Sequence, residues 1–107
     1  MVAGHVGDDL FGDVVERGLV ARGLDTRAIL RTPGRGTSQT LILPVAGDDR
    51  RYVHAFGANA ELAAADIPEA ALAAAQVLYV GGYLILPALR QGELAERFRL
   101  AASTARR

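Results

Sequence analysis

Asp8 and Asp9 are adjacent carboxylates, a pairing that general acid–base chemistry can use when one group is protonated and the other is not. Asp9 also stands directly before an apolar periodic stretch, where an Asp side chain accepts backbone N–H bonds, so it reads as a helix cap rather than a proton carrier. His5 and His54 are too few and too widely spaced to suggest a metal centre, which normally draws on three or four ligands. Gly34 and Gly36, in Gly34-Arg35-Gly36-Thr37-Ser38-Gln39, do not complete a dinucleotide-binding fingerprint and precede a strand where that motif needs a helix, so they read as a hinge. Asn59, the only Asn in the chain, is able either to hydrogen-bond a ligand or to close its own turn.

The elements that must position these groups alternate between strand and helix. Val2 to Val6 is an apolar run that stops at Gly7 and Asp8, as a buried strand feeding a turn does. A helix follows, with Phe11, Val14, Val15, Gly18 and Leu19 in one stripe and Gly23 as its left-handed terminator. Ala28 to Leu30 is a short strand, and Thr32 to Gly36 a loop. Thr40 to Val45 and Arg51 to Phe56 read as a hairpin about Gly47, Asp48 and Asp49, with Tyr52, His54 and Phe56 on one face. Pro68 opens an Ala-rich helix to about Gln76. Val77 to Val80 is expected to be a buried strand ending at Gly81 and Gly82, and Pro87 to about Ala102 one helix. The core should then include Phe11, Val14, Leu78 and Val80, with the hairpin projecting from an α/β layer.

Composition bounds the function. A chain of 107 residues supports one small domain, and 50% apolar with 22% charged residues is ordinary for a packed one. Twelve basic and twelve acidic groups cancel, which argues against nucleic acid and anionic membranes as partners. All the basic residues are Arg, so a phosphate loop that needs a lysine ammonium is excluded. Without cysteine there is neither a disulfide nor a thiolate site, and the amino terminus lacks the pattern of a signal peptide; a cytoplasmic location is expected.

The segments VGDDLFG at 6–12, GLDT at 23–26, TSQTLILPV at 37–45 and FGANAEL at 56–62 occur in the order seen in PfkB-family carbohydrate kinases. The chain resembles an internal part of that ribokinase-like fold: a partial α/β sheet with flanking helices and a two-stranded lid at about 37–57. The resemblance implies ATP- and Mg²⁺-dependent phosphorylation of a hydroxyl on a sugar, a nucleoside or a related small molecule. It singles out Thr40 and Ile42 on the lid, and Gly82 and Tyr83 at the end of a sheet strand, as residues bordering the substrate, with Asn59 beside them; some relatives carry an acidic residue where Tyr83 stands. It also implies that the Gly-Gly/Asn-x-Ala block lies upstream and the catalytic Gly-Ala-Gly-Asp signature downstream, so that the segment alone holds no nucleotide and is inactive. The alternatives are a non-catalytic module that dimerises through the lid, and a decayed kinase fragment.

Overall fold

A computed structural model describes residues 1–104. The chain opens with a β-α-β unit: strand β1 (Ala3–Gly7), helix α1 (Leu10–Val20) and strand β2 (Ala28–Thr32). β1 and β2 pair in parallel, Ala3 opposite Ala28 through Gly7 opposite Thr32. A parallel pair needs a crossover, and α1 supplies it. Asp9 caps α1 from extended backbone, its side chain accepting from the Gly12 N–H. Gly23, at φ 72°, reverses the chain after the helix. His5 ties the unit to later chain: Nε2–H donates to Asp66 at 3.1 Å while Nδ1 is hydrogen-bonded to the Thr32 hydroxyl at 2.8 Å.

An antiparallel hairpin follows, β3 (Gln39–Leu43) against β4 (Arg51–Ala55), with every strand residue except His54 exposed. At its tip the Asp48 N–H bonds the Val45 carbonyl, and Gly47 takes φ 76°. The two strands thus stand away from the packed part of the molecule.

The remaining chain is helical. Three-ten turns at Gly57–Glu61 and Ala64–Asp66 lead to α2 (Glu69–Ala74), then a further turn at Tyr83–Ile85, α3 (Pro87–Gln91) and α4 (Leu94–Thr104). Ala64, Leu86, Leu89 and Leu94 form the buried cluster, with Leu62, Ile67 and Val80 packed against it. Leu72 and Leu89 are each only 1% exposed and are the largest side chains fully enclosed. Arg97 bonds Glu69 at 3.3 Å and links α4 to α2.

Three sequence expectations are corrected. Val77 to Val80 forms no strand. Its side chains keep a period of two, with Leu78 and Val80 half-buried and Val77 and Tyr79 83% and 86% exposed, but no backbone ladder joins them to a neighbour. A strand is defined by its partner, and between this run and Met1 to Ala3 lies instead a hollow of about 840 Å³ that Leu72 and Leu89 also line. Secondly, Phe11 and Val14 are exposed, Phe11 by 52%. α1 turns Gly12, Glu16 and Leu19 inward, because Gly12 lets the helix approach Gly7 so closely that a Cβ there would meet the Gly7 oxygen at 2.3 Å. Phe11, Val14 and Val15 of the apolar stripe are rotated away and stay exposed. Thirdly, the helix expected over 87–102 is broken in two at Gly92, whose ψ of −173° is extended. The terminal Arg106 and Arg107 lie outside the described residues.

Candidate substrate lid and its anchorage

The register of the hairpin sets Thr40 opposite His54 and Ile42 opposite Tyr52. Directly opposed residues in an antiparallel pair share a face, so these four side chains form one patch. Within it the Thr40 hydroxyl and His54 Nδ1 are 2.7 Å apart, and the His54 ring meets Phe56 edge-on with centroids 4.8 Å apart. His54 Nε2 is shielded from solvent with no hydrogen-bond partner among the described residues. The patch therefore combines exposed apolar surface from Ile42 and Tyr52 with one buried, unmet polar nitrogen. The opposite face carries Leu41 and Val53, also exposed.

The hairpin leaves the body at Gly36-Thr37 and returns at Gly57-Ala58. Ala58, completely buried, donates its N–H to the Gly36 carbonyl at 2.8 Å, so the two roots are bonded to one another. Gly57 has φ 51°, and a Cβ there would lie 2.2 Å from the Gly36 oxygen, which leaves glycine as the one residue that fits. Asn59 follows in the first three-ten turn. Its N–H bonds the Phe56 carbonyl and its carbonyl accepts from Leu62, so its backbone closes the turn immediately beside the roots.

Asp9 reaches this junction from the start of α1. One carboxylate oxygen accepts from Gly12 N–H at 2.8 Å and from the Thr37 hydroxyl at 2.6 Å; the other accepts from Thr37 N–H at 2.7 Å. The Thr37 hydroxyl in turn accepts from the Gly7 N–H at 2.9 Å. These bonds, led by the one from the Thr37 side chain, hold the Asp9 carboxyl below its usual range. Asp8 takes a separate course and lies 3.5 Å from Arg31, whose guanidinium also pairs with Asp13 and Glu16 on α1.

Thr40 and Ile42 are therefore brought together, with Asn59 near the base of the same hairpin. Gly82 and Tyr83 are elsewhere. Gly82, at φ 66°, begins the third three-ten turn, and Tyr83 lines a shallow hollow of about 290 Å³ with Val80, Leu94, Ala95 and Phe98. Periodicity placed Tyr52 and His54 on one face, but their pairing with Ile42 and Thr40 depends on hairpin register, which the turn sequence did not fix. Thr37 was missed altogether; the sequence offered only a small polar residue next to a glycine hinge. The His5, Thr32 and Asp66 chain resembles a relay of polar groups, yet none of the three lines either hollow, and it serves to join β1, β2 and the second three-ten turn.

Among the described residues no group of three or more His, Cys, Asp or Glu side chains could hold a metal ion. No helix among the described residues is long and apolar enough to cross a membrane.

Residues 1–106 match the pfkB family carbohydrate kinase profile. Comparison with solved structures gives an adenosine kinase from Sinorhizobium meliloti at TM-score 0.75 and 25% identity, covering 94% of this chain and 31% of that one. A ribokinase from Giardia lamblia aligns at TM-score 0.73 and 22% identity, over 97% of this chain and 33% of its own. A fructokinase from Xylella fastidiosa aligns at TM-score 0.69 and 18% identity, over 95% and 32% respectively. The chain thus spans about a third of the length of the solved proteins it resembles. Among curated proteins no sequence match was found.

Proposed function

Since the chain belongs to the PfkB family of carbohydrate kinases, we propose that it is the substrate-side segment of an ATP-dependent kinase acting on an alcohol group of a sugar or nucleoside. The observation that carries this reading is the single patch of Thr40, Ile42, Tyr52 and His54 on a hairpin that projects from the α/β body. Such a ribbon can fold over an acceptor and exclude water from the transferring phosphoryl group. Thr40 and Ile42 contact the acceptor from the lid, and Asn59 sits at its base. Gly82 and Tyr83, at the third three-ten turn, are carried as substrate-bordering residues by the family resemblance alone. In this reading ATP and its Mg²⁺ are held by other parts of a full-length enzyme, and the 107 residues alone transfer no phosphate.

The test is an NMR titration of the chain with ribose, fructose and adenosine in turn. Shifts concentrated at Thr40, Ile42, Tyr52, His54 and Asn59 for at least one of them are expected. Shifts absent for all three, or spread evenly over the chain, would sink the reading.

A second reading has its own observation in favour. Leu41 and Val53 make the far face of the hairpin apolar and exposed as well, which suits a homodimer formed lid against lid. Sedimentation over a hundredfold range of concentration separates the two readings, because only the dimer predicts a concentration-dependent mass.

A further inference from the structure

The hairpin is long and meets the body only at its two roots, so its angle is decided by whatever holds Gly36, Thr37, Gly57 and Ala58. The Gly36 to Ala58 bond joins the roots to each other and says nothing about their orientation to the sheet. Asp9 and Thr37 bond the root to the β1–α1 turn. The Asp9 carboxylate accepts both the N–H and the hydroxyl of Thr37, and the same hydroxyl accepts from Gly7 at the end of β1. Thr37 is 8% exposed and is the only buried polar side chain among the described residues. Enclosing the Thr37 hydroxyl is tolerable because it is satisfied, and hydrogen bonds to an ionised group such as Asp9 are stronger than neutral ones.

The surrounding glycines make room for it. A Cβ at Gly7 would meet Thr37 N at 2.4 Å, and one at Gly12 would meet Thr37 Oγ1 at 3.2 Å. Three backbone segments converge on one threonine, and one carboxylate spans the helix start and the hairpin root. Helix capping alone requires only the Gly12 bond, so the two bonds to Thr37 call for another explanation.

We propose that Asp9 and Thr37 are positioning residues that latch the hairpin to the β1–α1 turn and fix the angle at which it stands. Their effect on substrate closure rests on the kinase reading above, whereas the latch itself does not. Thr40 and Ile42 are three and five residues beyond Thr37, on the strand that leaves it and on one face of that strand, so a rotation at the root moves both together.

Asp9→Asn separates latch from cap. It preserves shape and one carbonyl oxygen for Gly12, but sets an NH₂ where Thr37 N–H needs an acceptor. Thr37→Val removes the hydroxyl, and Thr37→Ser keeps it. The chain has no cysteine, so spin labels at Ala46→Cys on the hairpin tip and Val14→Cys on the exposed side of α1 report one distance. In the parent and in Thr37→Ser a single narrow distribution is expected. In Asp9→Asn and Thr37→Val it should broaden, with amide exchange at position 37 and at Ala58 faster by about tenfold while β1 and β2 are unchanged. Distributions as narrow as the parent's in both variants, or broadening that extends to Thr37→Ser, would overturn the latch. Should Thr37→Val fail to fold, Asp9→Asn against Thr37→Ser still decides. A failed sugar titration with normal label distances would overturn the substrate reading and leave the latch standing.

Discussion

Thr40 and His54 are 14 residues apart in sequence and face one another across the hairpin, their side chains joined at 2.7 Å. The bond sets which ring nitrogen of His54 is engaged and leaves Nε2 as the unmet one. Cross-strand pairs of this kind contribute about 0.2–1 kcal/mol. A double-mutant cycle with Thr40→Val and His54→Phe should give a coupling in that range by urea denaturation, with the double variant less harmed than the sum of the singles. Strict additivity would mean that the pair stabilises nothing.

Leu72 and Leu89 hold the helical layer together. Either one changed to Ala removes buried methyl groups and leaves a cavity, at a cost of about 2–5 kcal/mol. Both also border the hollow beside Val77 to Val80, where the surroundings have room to relax, so both variants should lie nearer the lower end. Denaturation midpoints of the two variants check the size.

Gly57→Ala places a methyl group against the Gly36 oxygen on left-handed backbone. A loss of more than about 1 kcal/mol is expected. Gly47 has a similar φ but open space around it, so Gly47→Ala should cost less, and the difference between the two variants isolates the contact from the dihedral angle. Equal losses would show that the root is not tightly packed.

Acid should weaken the fold in a particular window. Asp25 is pulled down to about 2, chiefly by the Arg27 side chain, and Asp9 is lowered by Thr37. Both folded values lie below the unfolded carboxylate value of about 3.9, so their stabilisation is fully present above that pH and is withdrawn as pH falls toward the folded values. Melting temperatures should be level from about pH 7 to about 5 and drop between about pH 4 and 2. Asp25→Asn should flatten part of that drop; an unchanged slope would remove Asp25 from the account.

Much of this architecture is legible in the residues. The apolar run before Gly7, the cap at Asp9 and the β-branched strands about Gly47 each follow from local rules, and β1, α1 and the hairpin form where those rules put them. The fold class follows too, because strand, capped helix and strand in succession permit little else. What local rules miss is partnership. Val77 to Val80 has strand composition but no strand beside it, and the Phe11 and Val14 stripe has helical spacing but no layer to meet. The latch is invisible for the same reason, since Asp9 and Thr37 are 28 residues apart and nothing in either neighbourhood announces the other.

The hairpin tip also has an engineering consequence. Residues 44–50 are all exposed, and Gly47 has no atom within 4 Å of the position its Cβ would occupy. Exposed polar tips of this kind accept inserted sequence with little effect on the body that carries them. A short epitope or affinity handle spliced between Gly47 and Asp48 would ride at the far end of the ribbon, displayed for capture on a solid support while the β-α-β unit and the helical layer fold beneath it.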